Sequence, residues 1–310
     1  MSRSAHLVVV LGPTASGKSD LALSIARRLG GEIVNADAVQ VYRGMDVGSA
    51  KTPPEQRDGV PHHLLDVLDV RRPTSVAAFQ RDARAAIEDC LARGVTPILT
   101  GGSSLYVRAA IDDFAFPGTD PALRAALERR LAEEGNTALH AELARVAPRA
   151  AQEILPSNGR RVVRALEVTQ LTGRPFEARL PEHVSIYRPV TLLGLQVPRD
   201  VLDERIARRV ERMWDDGLVA EVRALLDEGL ADSPTASRAL GYQQVIAQLA
   251  GECTEEEARA ATVRGTSAFA RRQDRLFRRD PRVRWLPWDA PDLLARALAA
   301  IEEDARAHRA

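Results

Sequence analysis

Near the amino end, the segment Gly12-Pro13-Thr14-Ala15-Ser16-Gly17-Lys18-Ser19 has the residue types and spacing that hold a polyphosphate. Gly12 and Gly17 let the backbone curl so that several N–H groups face one anion. A helix opening near Lys18 adds the positive end of its dipole. Lys18 supplies a point charge, and the Ser19 hydroxyl is suited to ligate Mg2+. The pattern specifies a polyphosphate and leaves its owner open. Asp37 is the next residue with chemistry to offer. Its carboxylate suits three roles: orienting metal-bound water, acting as a general base, or capping a turn. Ser103 follows Gly101-Gly102 and reads equally as a positioning hydroxyl or as turn chemistry.

These residues need elements to hold them. Leu7 to Leu11 is a continuous apolar run ending at glycine, the mark of a strand buried on both faces of a parallel sheet. Helical spacing follows over 18–29, a short strand over Glu32–Ala36, a helix over 76–93 and another buried strand over Thr96–Thr100. Strand and helix alternate, which predicts an α/β fold with a parallel sheet flanked by helices. Asp37 then falls at the carboxyl edge of the sheet, beside the phosphate loop. Between about 121 and 180 the pattern is helical and broken by Gly135, Pro148, Pro156, Gly173 and Pro175. Thr191 to Val197 returns to strand, helices follow at 199–228, 238–249 and 255–279, and Val283–Leu286 reads as a last strand. The expected organisation is a core over 1–115, an all-helical insertion over 116–188, and core completion with C-terminal helices over 189–310.

Several segments together resemble the tRNA dimethylallyltransferase family, also called the IPP transferase family. They are Gly12 to Ser19; Ala36-Asp37-Ala38-Val39-Gln40-Val41-Tyr42-Arg43-Gly44-Met45-Asp46-Val47-Gly48; Pro61-His62-His63-Leu64; and Gly101-Gly102-Ser103-Ser104-Leu105-Tyr106. Arg164-Ala165-Leu166-Glu167-Val168, Ala220 to Leu225, Leu240-Gly241-Tyr242 and Arg271-Arg272-Gln273 continue the match. The likeness spans about residues 7–280. It implies a P-loop NTPase-like α/β core that moves a dimethylallyl group from dimethylallyl diphosphate to the N6 amine of an adenine, A37, in the anticodon loop of tRNA. It also implies that residues 12–19 hold the diphosphate with Mg2+ on Ser19, that Asp37 is the base, and that Ser103 aligns the reactants. Arg223, for which a surface helix arginine is the alternative reading, is implied to join the diphosphate clamp. Contacts with tRNA are implied at Asp37, Ala38, Val39, Gln40 and Ser103, at Arg124, and at Arg160, Arg161, Val162, Val163 and Arg164. The sequence departs from the family pattern at Ser103, where threonine is usual, at Leu155 to Gly159, at Thr52 and at Ser267.

Composition narrows the alternatives. The formal net charge is zero, which disfavours a protein that holds nucleic acid by bulk charge alone. Basic residues cluster at Arg160, Arg161 and Arg164, and again at Arg264, Arg271, Arg272, Arg275, Arg278 and Arg279. Each cluster reads as a phosphate-facing surface or as a solvated face. Cys90 and Cys253 are far apart and suggest neither a disulfide nor a zinc site. With no leader and no long apolar span, a cytoplasmic, membrane-free monomer is the expectation. A nucleotide kinase using ATP, a prenyltransferase acting on free adenine nucleotides, and a noncatalytic RNA-binding protein are the competing readings.

Overall fold

A computed structural model of the chain describes residues 6–114, 116–178 and 182–308. Residue 115, where the sequence pattern ends the first core segment, lies outside the described residues. The chain forms two compact units, Met1–Asp112 with Ser185–Ala310, and Asp113–Val184. The division falls slightly earlier than the sequence pattern places it.

In the first unit the elements begin β1 (Leu7–Leu11), α1 (Lys18–Leu29), β2 (Glu32–Asn35), β3 (His62–His63), α2 (Val76–Ala92), β4 (Pro97–Gly101) and α3 (Ser104–Ile111). In the second unit, α4 (Pro121–Val146) bends at Gly135, whose φ of 81° breaks the helical run, and α5 (Pro148–Glu153) and α6 (Gly159–Thr172) follow. The first unit resumes with β5 (Val190–Gln196), α7 (Arg199–Asp215), α8 (Leu218–Asp227), α9 (Tyr242–Leu249), α10 (Glu255–Phe277), β6 (Val283–Pro287) and α11 (Leu293–Ala307). The single helical stretch expected over 199–228 is two helices. Gly217 takes a φ of 98° between them, in the left-handed region that only glycine enters cheaply. The two-residue strand β3 has no sequence signal of its own, since it is too short to show a period.

The six-stranded sheet is parallel throughout, in the order β3-β2-β4-β1-β5-β6. β1 is buried along its whole length, as its unbroken apolar run requires. Leu21 and Ile25 of α1 and Ala297 and Ile301 of α11 pack with Val8, Val10, Ile98 and Leu193 on one face. A separate apolar cluster joins the segment Val41–Met45 to Val210, Trp214, Val222, Tyr242 and Val245. The carboxyl ends of β2, β4 and β1 lie in register, with Asn35 beside Thr100 and Gly101 beside Leu11. The turns that leave those ends carry the residues with chemistry, as expected for ligand sites in open α/β sheets.

Candidate active site

The phosphate loop leaves β1 and enters α1 through Gly17, whose φ is 95°. A Cβ on Gly12 would come within 2.9 Å of Ser16 Oγ and would force that hydroxyl to shift. Ser16 Oγ is buried and has no hydrogen-bond partner, a costly arrangement unless the hydroxyl serves an anion. Burial pushes the Lys18 ammonium down to about 8; Asp37 opposes the shift, and Arg209 adds to it. Lys18 Nζ lies 3.5 Å from the Pro13 carbonyl. The loop is therefore cationic, constrained and short of acceptors.

Three helix residues brace it. Gln273 of α10 accepts a hydrogen bond from the Thr14 amide at 2.9 Å, and Arg205 of α7 donates to the Ser16 carbonyl at 3.3 Å. Arg209 of α7 donates to Thr14 Oγ1 at 2.9 Å and to the Ser49 carbonyl at 3.3 Å, while its Nε is buried and unpartnered. Burial lowers the Arg209 pKa, and the Asp37 carboxylate works against that. A half-buried guanidinium with a spare donor beside a phosphate loop is suited to ligate an anion. Sequence reading missed it among the arginines of α7. Its one signal was phase: Leu202, Ile206, Val210 and Met213 form the buried stripe, and position 209 lies within it.

Asp37 follows β2 on the turn that faces this loop electrostatically. Its Oδ1 accepts from the Val39 amide at 2.8 Å and from the Gln40 amide at 3.3 Å, so the turn-capping role is realised. No hydrogen bond engages its Oδ2 among the described residues. Asn35 holds the Asp37 amide at 3.2 Å and spans to the Leu64 carbonyl at 3.1 Å, which fixes the turn. Gln40 gives both amide hydrogens to the carbonyls of Ser49 and Ala50, at 3.1 and 3.3 Å. Only its Oε1 is left for a base. Behind it, Lys51 Nζ is buried between Asp46 and Asp66, each 2.5 Å away. Glu221 of α8 gathers the amides of Asp46, Val47 and Gly48, and Tyr242 donates to it at 2.6 Å.

Ser103 caps α3 and accepts from the Tyr106 amide at 3.4 Å, leaving its O–H free to donate. Gly101 is required by close approach, since an added Cβ would meet the Ala36 carbonyl at 2.4 Å; at Gly102 it would meet the end of the Gln273 side chain, Nε2, at 2.5 Å. The β2 and β4 turns are thus packed backbone to backbone, and Gln273 fills the space beside Gly102. Arg223 is exposed on α8 without a partner among the described residues, two residues from Glu221 and so on another side of the helix. Its guanidinium is unengaged, whereas that of Arg209 already braces the loop.

In the helical unit the expected tRNA residues separate into two groups. Val162 and Val163 are buried, at 0% and 1% exposure, in the cluster with Leu127, Leu139, Leu143 and Leu166. Their side chains serve the core and cannot touch RNA. Arg124 and Arg164 both bind the buried Glu167, and Arg164 also caps the carbonyls of Pro117 and Gly118 at 2.7 and 3.1 Å. Burial opposes ionisation of Glu167, but Thr119, Arg164 and Arg124 outweigh it and bring its pKa to about 2. Arg160 and Arg161 are exposed in the first turn of α6; Arg161 touches only the Ala178 carbonyl, at 2.8 Å, among the described residues. Those two remain available to a polyanion.

A parallel-sheet phosphate-loop protein with a helical insertion, carrying a carboxylate opposite the loop, is the class this geometry defines. The family model for IPP transferase matches residues 40–280, and the chain belongs to that family. It is 61% identical over 302 residues to the tRNA dimethylallyltransferase of Thermobifida fusca, covering 96% of this chain and 94% of the relative. With the Streptomyces avermitilis tRNA dimethylallyltransferase it shares 63% over 288 residues, 93% of this chain and 92% of that one. The solved tRNA isopentenylpyrophosphate transferase of Bacillus halodurans superposes with a TM-score of 0.72 at 37% identity, over 99% of this chain and 100% of that one. A eukaryotic dimethylallyltransferase acting on tRNA shares the fold, with a TM-score of 0.80 at 23% identity over 96% of this chain and 78% of that one.

Proposed function

We propose that the chain transfers a dimethylallyl group from dimethylallyl diphosphate to the N6 amine of an adenine in tRNA, A37 of the anticodon loop. The observation that carries this reading is the Asp37 carboxylate, pinned by Oδ1 on the turn after β2, beside a braced phosphate loop whose Ser16 hydroxyl is buried without a partner. The membership of the IPP transferase family supports it.

The amine nitrogen of adenine is a weak nucleophile, so the leaving group must carry much of the work. N6 attacks C1 of the allyl group; the C1–O bond breaks and its electron pair leaves with the diphosphate. Lys18, Arg209 and the loop amides stabilise the charge growing on that oxygen. Asp37 accepts the N6 proton on Oδ2 while its Oδ1 stays pinned by the turn. Ser103 donates its hydroxyl to hold the reactants in line. The Gln40 Oε1 accepts from the base edge of a flipped-out nucleotide. Two hydroxyls support Mg2+ as the cofactor: Ser19 and Thr100 line one small cavity with Asn35, Leu23, Ile33 and Leu65, and Thr100 Oγ1 is buried without a partner. Ser19 would hold the ion, which when bound offsets diphosphate charge. Arg160 and Arg161 bind the tRNA backbone. A tRNA substrate is consistent with a cytoplasmic protein, and no described helix is long and apolar enough to cross a membrane.

The test is mass spectrometry of tRNA nucleosides after incubation with the protein, Mg2+ and dimethylallyl diphosphate. N6-dimethylallyladenosine is the expected product, and Asp37→Ala is expected to cut turnover by about 10²–10⁴-fold with tRNA affinity little changed. Unmodified tRNA together with γ-phosphate transfer from ATP would favour the kinase reading. Normal turnover by Asp37→Ala would remove the base from the scheme.

A further inference from the structure

At the amino end of β2, the opposite end from Asp37, three potential metal ligands converge from three elements. Glu32 comes from β2, His63 from β3 and Cys90 from α2, and their ligand atoms all lie within 4.8 Å of one another. His63 Nε2 is 2.7 Å from Glu32 Oε2; Cys90 Sγ is 3.4 Å from the same oxygen and 3.8 Å from His63 Nε2. The cysteine is fully buried, whereas the histidine and glutamate side chains keep 30% and 12% exposure, so solvent reaches the group from one side.

We propose that Glu32 Oε2, His63 Nε2 and Cys90 Sγ form a Zn2+ site, with water as the fourth ligand. Tetrahedral zinc with bonds of about 2.3 Å to sulfur and about 2.0–2.2 Å to nitrogen and oxygen places ligand atoms roughly 3.3–3.6 Å apart. Two of the three edges already stand near that spacing. The third is a hydrogen bond, and it opens by about half an ångström when the metal replaces the shared proton. Thiolate, imidazole and carboxylate together select a borderline ion such as zinc over Mg2+ or Ca2+.

Arg93 also engages this cluster: it reaches both Glu32 oxygens at 2.8 and 2.7 Å and lies 3.5 Å from Cys90 Sγ. Arg93 is a competitor with an alternative partner, since Asp89 holds its Nε at 2.9 Å. On metal entry the thiol proton passes to solvent, the ring proton of His63 moves from Nε2 to Nδ1, and the guanidinium keeps Asp89. The bound ion clips α2 to the sheet edge at the short strand β3. No ligand spacing in the sequence announces the site, because its three members come from separate elements.

The experiment is a zinc titration of the chelator-stripped full chain against a chromophoric competitor, repeated with Co2+ for its thiolate charge-transfer absorption. The expected result is one zinc per chain and a cobalt–thiolate band. Cys90→Ser should abolish the band and weaken zinc binding by about 10-fold or more. Arg93→Ala should tighten zinc several-fold, which loss of folding cannot mimic, and Cys253→Ser should change nothing. His63→Gln, at a partly exposed edge position, takes the place of Cys90→Ser if that variant does not fold. Substoichiometric zinc at micromolar metal, a band that survives Cys90→Ser or disappears with Cys253→Ser, or weaker binding in Arg93→Ala overturns the site.

Discussion

Lys18 and Arg209 share one electrostatic predicament: both are half-buried cations, with Asp37 as a common counter-charge. An incoming diphosphate relieves both. Lys18 has a pKa of about 8 before the ligand arrives, and the anion must raise it. Binding is therefore proton-neutral below about pH 8 and couples to proton uptake above it. The Kd for dimethylallyl diphosphate should be flat up to that pH and then rise by up to about tenfold per unit, read by calorimetry across roughly pH 6.5–9.5. For Arg209, loss of charged hydrogen bonds worth about 1.5–3 kcal/mol corresponds to about 10–100-fold in kcat/KM. Arg209→Gln should show that loss in steady-state kinetics. Arg223→Ala decides whether this exposed guanidinium shares the clamp: a loss in kcat/KM of similar size means that it does, and a change within about twofold means that it does not.

At the level of elements, α6 divides its work by face. Its buried stripe holds Val162, Val163 and Leu166 in the helical core, and Glu167 lies on the same side with two arginines neutralising it. The first turn presents Arg160 and Arg161 outward, where the helix dipole adds positive potential. Arg160→Ala and Arg161→Ala should each weaken tRNA binding and lower the slope of log K against log salt by about 0.7–0.9, with little change in melting temperature. Arg164→Ala should behave oppositely. It strips a partner from a buried carboxylate and should destabilise the helical unit by about 1–3 kcal/mol, seen in chemical denaturation. Sequence grouping placed Arg160, Arg161 and Arg164 in one basic cluster. Proximity along the chain could not tell them apart, because burial of Glu167 is decided by packing.

For the whole molecule, the two chain crossings are tied on the core side. Asp112 and Ser185 form an antiparallel bridge, and Asp112 is buried between Arg108 and Arg282, each at 2.7 Å. Within the helical unit the Asp113 amide donates to the Val184 carbonyl at 2.8 Å. The insertion thus leaves and re-enters at one place, as a domain added to a loop does. Replacing residues 113–184 with a short glycine-serine linker should leave cooperative unfolding and diphosphate binding in place. Transfer to tRNA should disappear, as measured by product mass spectrometry. Loss of folding in that variant would mean the core needs the insertion as scaffold.

The sequence alone determined the phosphate loop, the parallel α/β core, the helical insertion and the placing of Asp37 at the carboxyl edge, because each is written in local period, glycine position and chain order. β1 shows this most directly: an unbroken apolar run ending at Gly12 can only be a central strand followed by a turn. Tertiary structure alone decided that Arg209 braces the loop, that Gln273 supports Thr14, that Val162 and Val163 face inward, and that Glu32, His63 and Cys90 meet. In each of these cases the partners come from elements far apart in the chain. The sign of a residue's contribution then depends on which face of its helix turns inward, and packing rather than spacing sets that rotation.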